Sequence, residues 1–433
     1  MTSPGEPLDI NVDLTTQEIL LAASTHNVPL LRRLLRANNT PLANPANVKD
    51  PETGFSPLHA AIAACEPDND ADEQQQQRPN GVQTNGAEAP ADAEEQKSEL
   101  QGGIETVEFL LREGAIWNDL DLKNETPGCI ARRLGLVELY EMMVDAGVRA
   151  ELLLGRLDGY EELEEDEDED MEEGEGEGEG EVGVVAEGET ETETETEAPE
   201  LVATEETTTA DAGADVTNPR YLDSTLTFQN DRLLDADQNG VMMAWESSIM
   251  KKSAQQLLPG PGLRVMNIGH GMGIIDTFLQ ELGPAEHHIV EAHPEVVAEM
   301  KRKGWAEKPG VVIHEGRWQD VLPAMVGEGV MLDAIYYDTF AESYGDFREF
   351  FSEQVIGLLE QEGRWSFFNG MGADRQISYD VYQKVVEMDL FEAGFEVEWE
   401  EFEVPKLDGE WDGVRRPYWC IEKYRLPVCK YMD

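Results

Sequence analysis

The sequence predicts an α/β protein in which an open, mostly parallel, seven-stranded sheet follows a smaller α-helical repeat domain. From residue 263 onward, apolar runs of strand length alternate with helical segments, which is typical of a parallel sheet with helices on both faces. A glycine-rich turn follows the first of these strands, as expected where a strand leads into a helix beside a ligand. Before residue 150 the pattern is helical, with a repeated turn-and-helix signature.

The individual elements of the sheet domain follow from this alternation. Five apolar runs are predicted as parallel strands: residues 264–268, 288–291, 311–314, 334–337 and 365–369. The covering helices are predicted at residues 274–282, 294–303, 347–359 and 379–393. Two late runs, residues 396–404 and 418–424, follow the last helix with no helix between them. We expect these runs to pair as a hairpin at one edge of the sheet and to complete the seven strands.

Composition divides the chain of 433 residues into folded and polar blocks. We predict a helical domain over residues 1–155 and an α/β domain over residues 219–433. Residues 66–102 are rich in Asp, Gln, Asn, Pro and Ala, and residues 156–218 consist largely of Glu, Gly and Thr. Neither stretch can bury enough apolar surface to offset its ordering entropy, so we predict a disordered acidic insertion and a disordered acidic linker.

The formal net charge is −59, from 91 acidic and 32 basic residues. This balance argues against direct binding to nucleic acid or to an anionic membrane, because both require Lys and Arg beside phosphates. A basic protein is the partner that the charge favours. The four cysteines lack metal-ligand spacing, so we expect no metal site. Because we find no signal peptide and no apolar run of ~18 residues, we expect a soluble intracellular protein, in the cytoplasm and nucleus. We also expect a monomer.

The helical domain carries a signature of protein-binding repeats. Residues 53–62, TGFSPLHAAI, resemble the opening of an ankyrin repeat, T-P-L-H-x-A. Ser56 and Pro57 supply the N-cap and the first helical residue, and His59 is expected to hydrogen-bond the neighbouring turn rather than bind a ligand. Further units lie at residues 104–115 with 124–131, after an opening helix pair at 19–24 and 28–35. We interpret the domain as an interaction module that packs on the catalytic domain or on a partner.

The glycine-rich turn predicts a nucleotide-like cofactor. It reads Gly269-His270-Gly271-Met272-Gly273, whereas nucleotide dehydrogenases have G-x-G-x-x-G. A nicotinamide cofactor and a tight turn without a ligand remain alternatives. Glu291 ends the second strand, where a carboxylate can accept both hydroxyls of a ribose.

Two later positions lie at the carboxyl ends of strands, where open α/β sheets bind ligands. Trp318 and Gln319 follow the third strand, at the height where the indole could cover an adenine and the amide could hydrogen-bond its edge. Asp338 follows the fourth strand and is expected at the reacting end of the cofactor. Its alternative role is to cap the strand end.

In this order and spacing, these motifs resemble guanidinoacetate N-methyltransferase. The resemblance is carried by MMAWESSIM at 242–250, RVMNIGHGM at 264–272, EAH at 291–293, GRWQD at 316–320 and YDT at 337–339. A domain of this kind behind degenerate ankyrin units and an acidic linker is similar to the fungal type IV protein arginine methyltransferases, which methylate the internal delta nitrogen of arginine. The resemblance implies a Rossmann-like class I methyltransferase fold and S-adenosylmethionine as methyl donor. It also implies a protein substrate carrying arginine, which the family suggests is a ribosomal protein.

The resemblance assigns roles to individual residues. Glu246 and Asp338 match the carboxylates that hold the guanidinium group in the small-molecule enzyme, and we expect Asp338 to accept the proton while Glu246 mainly orients. The residues that would line the cofactor pocket are Tyr221, Met250, His270, Gly271, Met272, Gly273, Ile274, Ile275, Glu291, Ala292, His293, Trp318, Gln319 and Asp338. His270 departs from the small enzyme, which has phenylalanine there, so the role of its side chain stays open.

The chemistry of a guanidinium group suits a site with two carboxylates. The group is planar, charged near neutral pH and offers five donors, so two carboxylates can localise its charge and aim one nitrogen at a methyl group. Two alternatives remain: a methyltransferase of a free guanidino metabolite, and a non-enzymatic ankyrin scaffold with a decayed domain. The presence of Glu246, Glu291 and Asp338 counts against the scaffold.

Overall fold

The computed structural model describes residues 14–40, 43–66, 91–165, 221–229 and 231–432. These residues form a helical N-terminal region and an α/β domain. The described residues up to Leu152 and from Tyr221 onward belong to one compact unit, and residues 153–165 belong to a second. No helix within the described ranges combines the length and the apolar character needed to cross a membrane.

Six helices make up the described N-terminal region. They are α1 (Leu14–Ser24), α2 (Val28–Asn38), α3 (Pro57–Ala63), α4 (Ala91–Arg112), α5 (Pro127–Arg133) and α6 (Val137–Glu165). The short helices α3 and α5 begin alike, with Ser56 or Thr126 as N-cap and proline at the first helical position. Buried aliphatic side chains from all these helices enclose one core, which includes Ile19, Leu58 and Leu110.

His59 connects the two turns that precede α3 and α5. Its Nδ1 atom accepts the backbone N–H of Ser56 at 3.1 Å, and its Nε2 atom lies 3.0 Å from the backbone oxygen of Glu125. Burial lowers the pKa of His59, which favours the neutral ring in this role. The expectation that His59 bonds the neighbouring turn is confirmed.

Helices occupy the ends of both stretches that were predicted as disordered. Helix α4 begins at Ala91, inside the predicted insertion 66–102, and α6 continues to Glu165, inside the predicted linker 156–218. Both additions contain several Glu residues and Leu, and the first also contains Ala and Gln; these residues have high helix propensity and prolong a helix that is packed at its other end. The remainder of the two stretches lies outside the described residues.

The α/β domain contains two sheets. Three short strands form an antiparallel sheet that we did not predict: β1 (Thr227–Phe228), β2 (Arg232–Leu234) and β3 (Gly240–Met243). The large sheet contains β4 (Arg264–Ile268), β5 (Glu286–Glu291), β6 (Val311–Glu315), β7 (Leu332–Tyr337), β8 (Leu359–Phe367), β9 (Phe395–Glu403) and β10 (Lys423–Tyr431). Its order is β6-β5-β4-β7-β8-β10-β9, with β4 to β8 parallel and β10 antiparallel to both neighbours. The predicted α/β class and the edge hairpin are confirmed.

Helices cover both faces of the large sheet. They are α7 (Ser247–Leu257), α8 (Ile274–Glu281), α9 (Pro294–Arg302), α10 (Trp318–Glu328), α11 (Tyr344–Glu349), α12 (Val355–Leu358) and α13 (Gln376–Glu392). A π-helical turn, Phe350–Gln354, joins α11 to α12. Along β4, Val265 packs in the core beside α7, α8 and α9, and Met266 packs in the core beside α10, α11 and α12. Because β4 pairs in parallel with both β5 and β7, the carboxyl ends of these three strands lie at one edge of the sheet.

The last strand lies further along the chain than predicted. We expected it at residues 418–424, and β10 spans Lys423–Tyr431. Tyr418 and Trp419 instead pack against Trp245, with ring centroids 5.9 and 5.7 Å away. These aromatic side chains therefore stabilise a loop over the small sheet. An apolar run in the sequence does not distinguish such a packed loop from a strand.

One face of α13 completes the core of the N-terminal region. Ile377, Val381 and Val385 recur at every fourth residue, are almost fully buried and belong to that core. We expect Ile377→Ala to lower the free energy of unfolding by about 2–4 kcal/mol, because it leaves a cavity at this junction. Met388→Ala on the same helix is the control, since Met388 is 47% exposed. Urea unfolding would measure both, and equal losses would contradict the proposed importance of the junction.

Candidate functional site

The glycine turn after β4 depends on a close approach of two strand ends. Gly269 has φ +89°, and a Cβ atom there would overlap the backbone oxygen of Asp338. The N–H of Asp338 donates to Ile268 O at 2.9 Å, and the N–H of Gly269 donates to Val290 O at 2.9 Å. Only glycine lets the ends of β4, β5 and β7 meet in this way.

Glu291 holds the same turn from the end of β5. Its Oε2 atom accepts the backbone N–H of His270 at 2.8 Å and of Gly271 at 3.3 Å, and its Oε1 atom accepts that of His293 at 2.7 Å. Each carboxylate oxygen can accept a further bond, so a role toward a ribose remains open to it. The sequence argument did not foresee that Glu291 also shapes the glycine turn.

A cavity of about 520 Å³, here called the cofactor-side cavity, opens beside this turn. Six of the predicted cofactor-binding residues line it: Tyr221, Gly271, Glu291, Ala292, Trp318 and Asp338. The walls also contain Gly269, Phe340 and Glu342, for which no role was predicted. The structure therefore brings these six residues to one place.

The other predicted cofactor residues are not among the residues that line that cavity. They are Met250, His270, Met272, Gly273, Ile274, Ile275, His293 and Gln319. Met250 and Ile275 are fully buried in the core between helices and sheet, because their helices turn these side chains inward. The ring of His293 caps α9 through the N–H of Glu295 and contacts the backbone oxygen of Tyr221 at 3.1 Å. The side chains of Met250, Ile275 and His293 therefore lie in the protein interior.

The ring of His270 points into the protein interior. Its Nδ1 atom lies 2.6 Å from Oδ2 of Asp276, and Oδ1 of Asp276 lies 2.9 Å from Nε2 of His287. Burial opposes ionisation of Asp276, but the two histidines outweigh it and lower the pKa of that carboxyl. His270 is thus hydrogen-bonded to a buried carboxylate, a contact that the phenylalanine expected from the resemblance could not make.

A second cavity, of about 240 Å³ and here called the acceptor-side cavity, adjoins the first. The residues that line both are Val241, Asp338, Thr339, Phe340, Ala341 and Glu342. Glu246 lines only the acceptor-side cavity, together with Tyr418 and Tyr382. Asp338 thus faces both spaces, and the two predicted catalytic carboxylates share one of them.

Glu246 is a buried carboxyl at the start of α7. Its Oε1 atom accepts the backbone N–H of Met243 at 3.1 Å and the hydroxyl of Tyr418. Burial and the negative charge of Asp338 raise the pKa of Glu246, although these two hydrogen bonds oppose the shift. A cation placed between the carboxyls would relieve this electrostatic cost.

Asp338 has an unused acceptor. Its Oδ2 atom is buried and has no hydrogen-bond partner among the described residues. Burial, with a smaller contribution from the charge of Asp276, raises the pKa of Asp338 to about 7. A buried acceptor without a partner is unfavourable unless a ligand donates to it, so the site fits a donor-rich cation.

Two residues of the site were missed by sequence reasoning. Tyr418 was assigned to a strand, and nothing in its local pattern indicated a bond to Glu246. The carboxylate of Glu342 accepts from Nε1 of Trp318 at 2.9 Å and from the hydroxyl of Tyr337 at 2.5 Å. Its position five residues after the end of a strand was the available signal. Gln319 lies 3.4 Å from the same carboxylate.

Comparisons with known proteins agree with this geometry. A family model described as guanidinoacetate N-methyltransferase matches residues 212–410. Proteins named "Protein arginine N-methyltransferase 2" are similar over far more of the chain. The one from Aspergillus oryzae is 72% identical over 100% of both chains, and the one from Neurospora crassa is 46% identical over 96% of this chain and 95% of its own. The chain belongs to the protein arginine N-methyltransferase 2 family.

Other members of the protein arginine N-methyltransferase 2 family align over a similar extent. The one from Emericella nidulans is 70% identical and covers 98% of this chain and 99% of its own. Membership identifies the chain as a methyltransferase, and its mixed seven-stranded sheet is the Rossmann-like sheet that was predicted. Membership also favours arginine in a protein over a free guanidino metabolite.

Proposed function

We propose that the chain transfers the methyl group of S-adenosylmethionine to the internal delta nitrogen of an arginine in a basic protein. The observation that carries this proposal is the pair of carboxyls on the wall of the acceptor-side cavity: Glu246, which is buried, and Asp338, which is half-buried with a buried Oδ2 atom. Asp338 also borders the cofactor-side cavity, so a group bound by both carboxyls would lie next to a bound cofactor.

The cofactor-side cavity fits S-adenosylmethionine by the chemistry of its walls. Glu291 offers carboxylate oxygens for ribose hydroxyls, and the glycine turn lets the backbone approach closely. Trp318 and Tyr221 supply aromatic surface on the same wall. S-adenosylmethionine, when bound, supplies an electrophilic methyl group on a sulfonium.

The two carboxyls would divide the work of holding the acceptor. Glu246 already accepts two hydrogen bonds, so it is fixed in place and suited to orienting one terminal nitrogen. Asp338 has a free oxygen and a raised pKa, so it is suited to accept the proton released from the attacking nitrogen. If Glu246 binds a terminal N–H group and Asp338 accepts from the internal N–H group, the internal nitrogen is the one held beside the methyl donor, as the proposed delta position requires.

The raised pKa of Asp338 predicts how activity varies with pH. The ionised carboxyl is required to hold the cation, and its pKa of about 7 means that ionisation increases as the pH rises through 7. We expect kcat/KM to rise about tenfold per pH unit below 7 and to level off above it. Initial rates measured on both sides of pH 7 would check this. A flat profile would mean that Asp338 is ionised throughout or is not involved.

The N-terminal helices support the protein-substrate part of the proposal. The turns before α3 and α5 repeat one pattern: Asp50 accepts the N–H of Thr53 at 3.1 Å, and Asp121 accepts that of Lys123 at 2.7 Å. We propose that these units are ankyrin-like and recruit a basic protein, for which the family resemblance suggests a ribosomal protein. We also propose that the enzyme is a monomer and acts in the cytoplasm and nucleus.

A labelling experiment tests the function. Purified protein and labelled S-adenosylmethionine are incubated with a basic-protein extract from cells lacking this enzyme, and labelled protein is hydrolysed for amino-acid analysis. Delta-methylarginine in one protein band supports the proposal, and Asp338→Asn is the matched inactive control. Label in terminally methylated arginine overturns the delta position. Label only in free guanidino compounds favours the metabolite enzyme.

A further inference from the structure

Helix α13 lies between the N-terminal core and the acceptor-side cavity. Its stripe of Ile377, Val381 and Val385 is buried in the N-terminal core. On the same helix, Tyr382 lines the acceptor-side cavity. Any displacement of the N-terminal helices from α13 would therefore act on a wall of that cavity.

A hydrogen-bond network crosses this junction, and it begins on helix α6 of the N-terminal region. The hydroxyl of Tyr140, on α6, donates to Oδ2 of Asp380 at 2.5 Å. The other oxygen of Asp380 accepts from Nη1 of Arg425 at 2.7 Å and from the amide of Gln376 at 2.9 Å. Asp380 thus joins α6, α13 and strand β10 through one carboxylate.

The network continues to the loop that borders the acceptor-side cavity. The backbone N–H of Arg425 donates to the hydroxyl of Tyr379 at 3.0 Å, and the side-chain amide of Asn369 donates to the same hydroxyl at 3.0 Å. Asn369 directly precedes residues 370–374, all of which line the cavity. The path from Tyr140 to this loop passes only through direct contacts.

A second contact reaches the cavity more directly. The hydroxyl of Tyr382 donates to Oε2 of Glu151, on α6, at 3.2 Å. The ring of Tyr382 lies 5.9 Å from that of Tyr344, and both rings line the cavity. Tyr344 also packs against the N-terminal core. The aromatic wall of the cavity is therefore in contact with the N-terminal helices.

We propose that Tyr140 and Glu151 are positioning residues for the acceptor-side cavity, so that the N-terminal region sets the affinity of the catalytic domain for its arginine. This inference rests on the proposed function. It assigns the N-terminal region a role beyond recruitment: its helices hold α13, Tyr382 and residues 370–374 in the shape that receives the acceptor.

The test uses the full-length chain with the double substitution Tyr140→Phe and Glu151→Leu. The first change removes the donor to Asp380 and the second removes the acceptor for Tyr382, and neither alters a cavity residue. We expect the half-saturating concentration of the basic-protein extract to rise about 5- to 20-fold, because the cavity wall loses two of the hydrogen bonds that hold it, while the affinity for S-adenosylmethionine stays unchanged. Amide hydrogen exchange should become faster in residues 370–374 and remain the same in the glycine turn.

The matched control is Lys384→Ala, which breaks the exposed ion pair between Lys384 and Asp145 at the same junction. An exposed pair contributes little, so exchange and kinetics should match the unaltered chain. Restoring Tyr140 alone should recover part of the lost affinity.

Two results would overturn the inference: unchanged exchange in residues 370–374, or equal losses of acceptor and cofactor affinity, which indicate general destabilisation. If the unaltered chain methylates no protein in the extract, the proposed function fails. Amide hydrogen exchange requires no substrate, so it tests whether Tyr140 and Glu151 position residues 370–374 even if the proposed function fails.

Discussion

Replacing Asp338 by asparagine is expected to lower the turnover number about 100- to 10,000-fold while leaving the affinity for S-adenosylmethionine within a few-fold. The amide keeps the size of the side chain but can neither balance the charge of a guanidinium nor accept its proton. Labelled methyl transfer under saturating cofactor would measure the loss, and calorimetric titration would measure cofactor binding. An equal loss of both would mean that Asp338 shapes the cofactor-side cavity instead.

Two measurements separate this catalytic effect from an effect on folding. Because burial raises the pKa of Asp338 from 3.8 to about 7, the folded state holds a proton there that the unfolded state releases. Stability contributed by this group therefore falls as pH rises between those values, and the asparagine variant should unfold at a higher temperature above pH 7. Asp333→Asn, at the other end of β7, is the opposite case. It breaks the ion pair with Arg264, 3.0 Å away, so we expect the variant to lose stability and to keep its turnover number.

The second large effect is expected from Gly269→Ala. The added methyl group would collide with the backbone oxygen of Asp338, and φ at this position is +89°. The ends of β4 and β7 must then separate, which displaces both the glycine turn and the carboxyl of Asp338. We expect turnover to fall about 100-fold or more, since a displacement of about 1 Å is enough for such a loss. Cofactor affinity should fall with it, in contrast to the asparagine variant.

Gly394→Ala provides the control for this substitution. Gly394 has φ +88°, yet a Cβ atom there meets no other atom within 4 Å. It therefore carries the same backbone strain, about 1–2 kcal/mol, without the collision. Similar turnover losses in the two variants would show that strain, rather than the collision with Asp338, is responsible.

Much of the fold could be predicted from period and spacing. Strands β4, β5 and β7 are largely buried on both faces, and all five strands from β4 to β8 are short apolar runs between helices, so their existence could be predicted. The position of β10 was not, because the aromatic residues Tyr418 and Trp419 have the composition of a strand and serve a loop instead. The stripe on α13 was also ambiguous, since an apolar helix face does not tell which core it enters.

The residues of the candidate site also fall into those that could be placed from the sequence and those that could not. Asp338, Glu291 and Gly271 could be placed because the ends of parallel strands meet at one edge of a sheet. The partners of these residues could not be placed, because Tyr418 and Glu342 reach the site through loops whose path leaves no periodic signal. His270 shows a further limit: its position in the turn was predictable, but the direction of its ring depended on Asp276 in the following helix.

The contact between Gly269 and the backbone of Asp338 has a consequence for how this enzyme can diverge. The turn that faces the methyl donor and the carboxyl that faces the acceptor must move together, because the ends of β4 and β7 are in direct contact. A substitution here that alters the binding of one substrate would therefore alter the binding of the other as well. New acceptor preferences should therefore arise in segments that touch the acceptor alone, such as residues 370–374, and leave the strand ends unchanged.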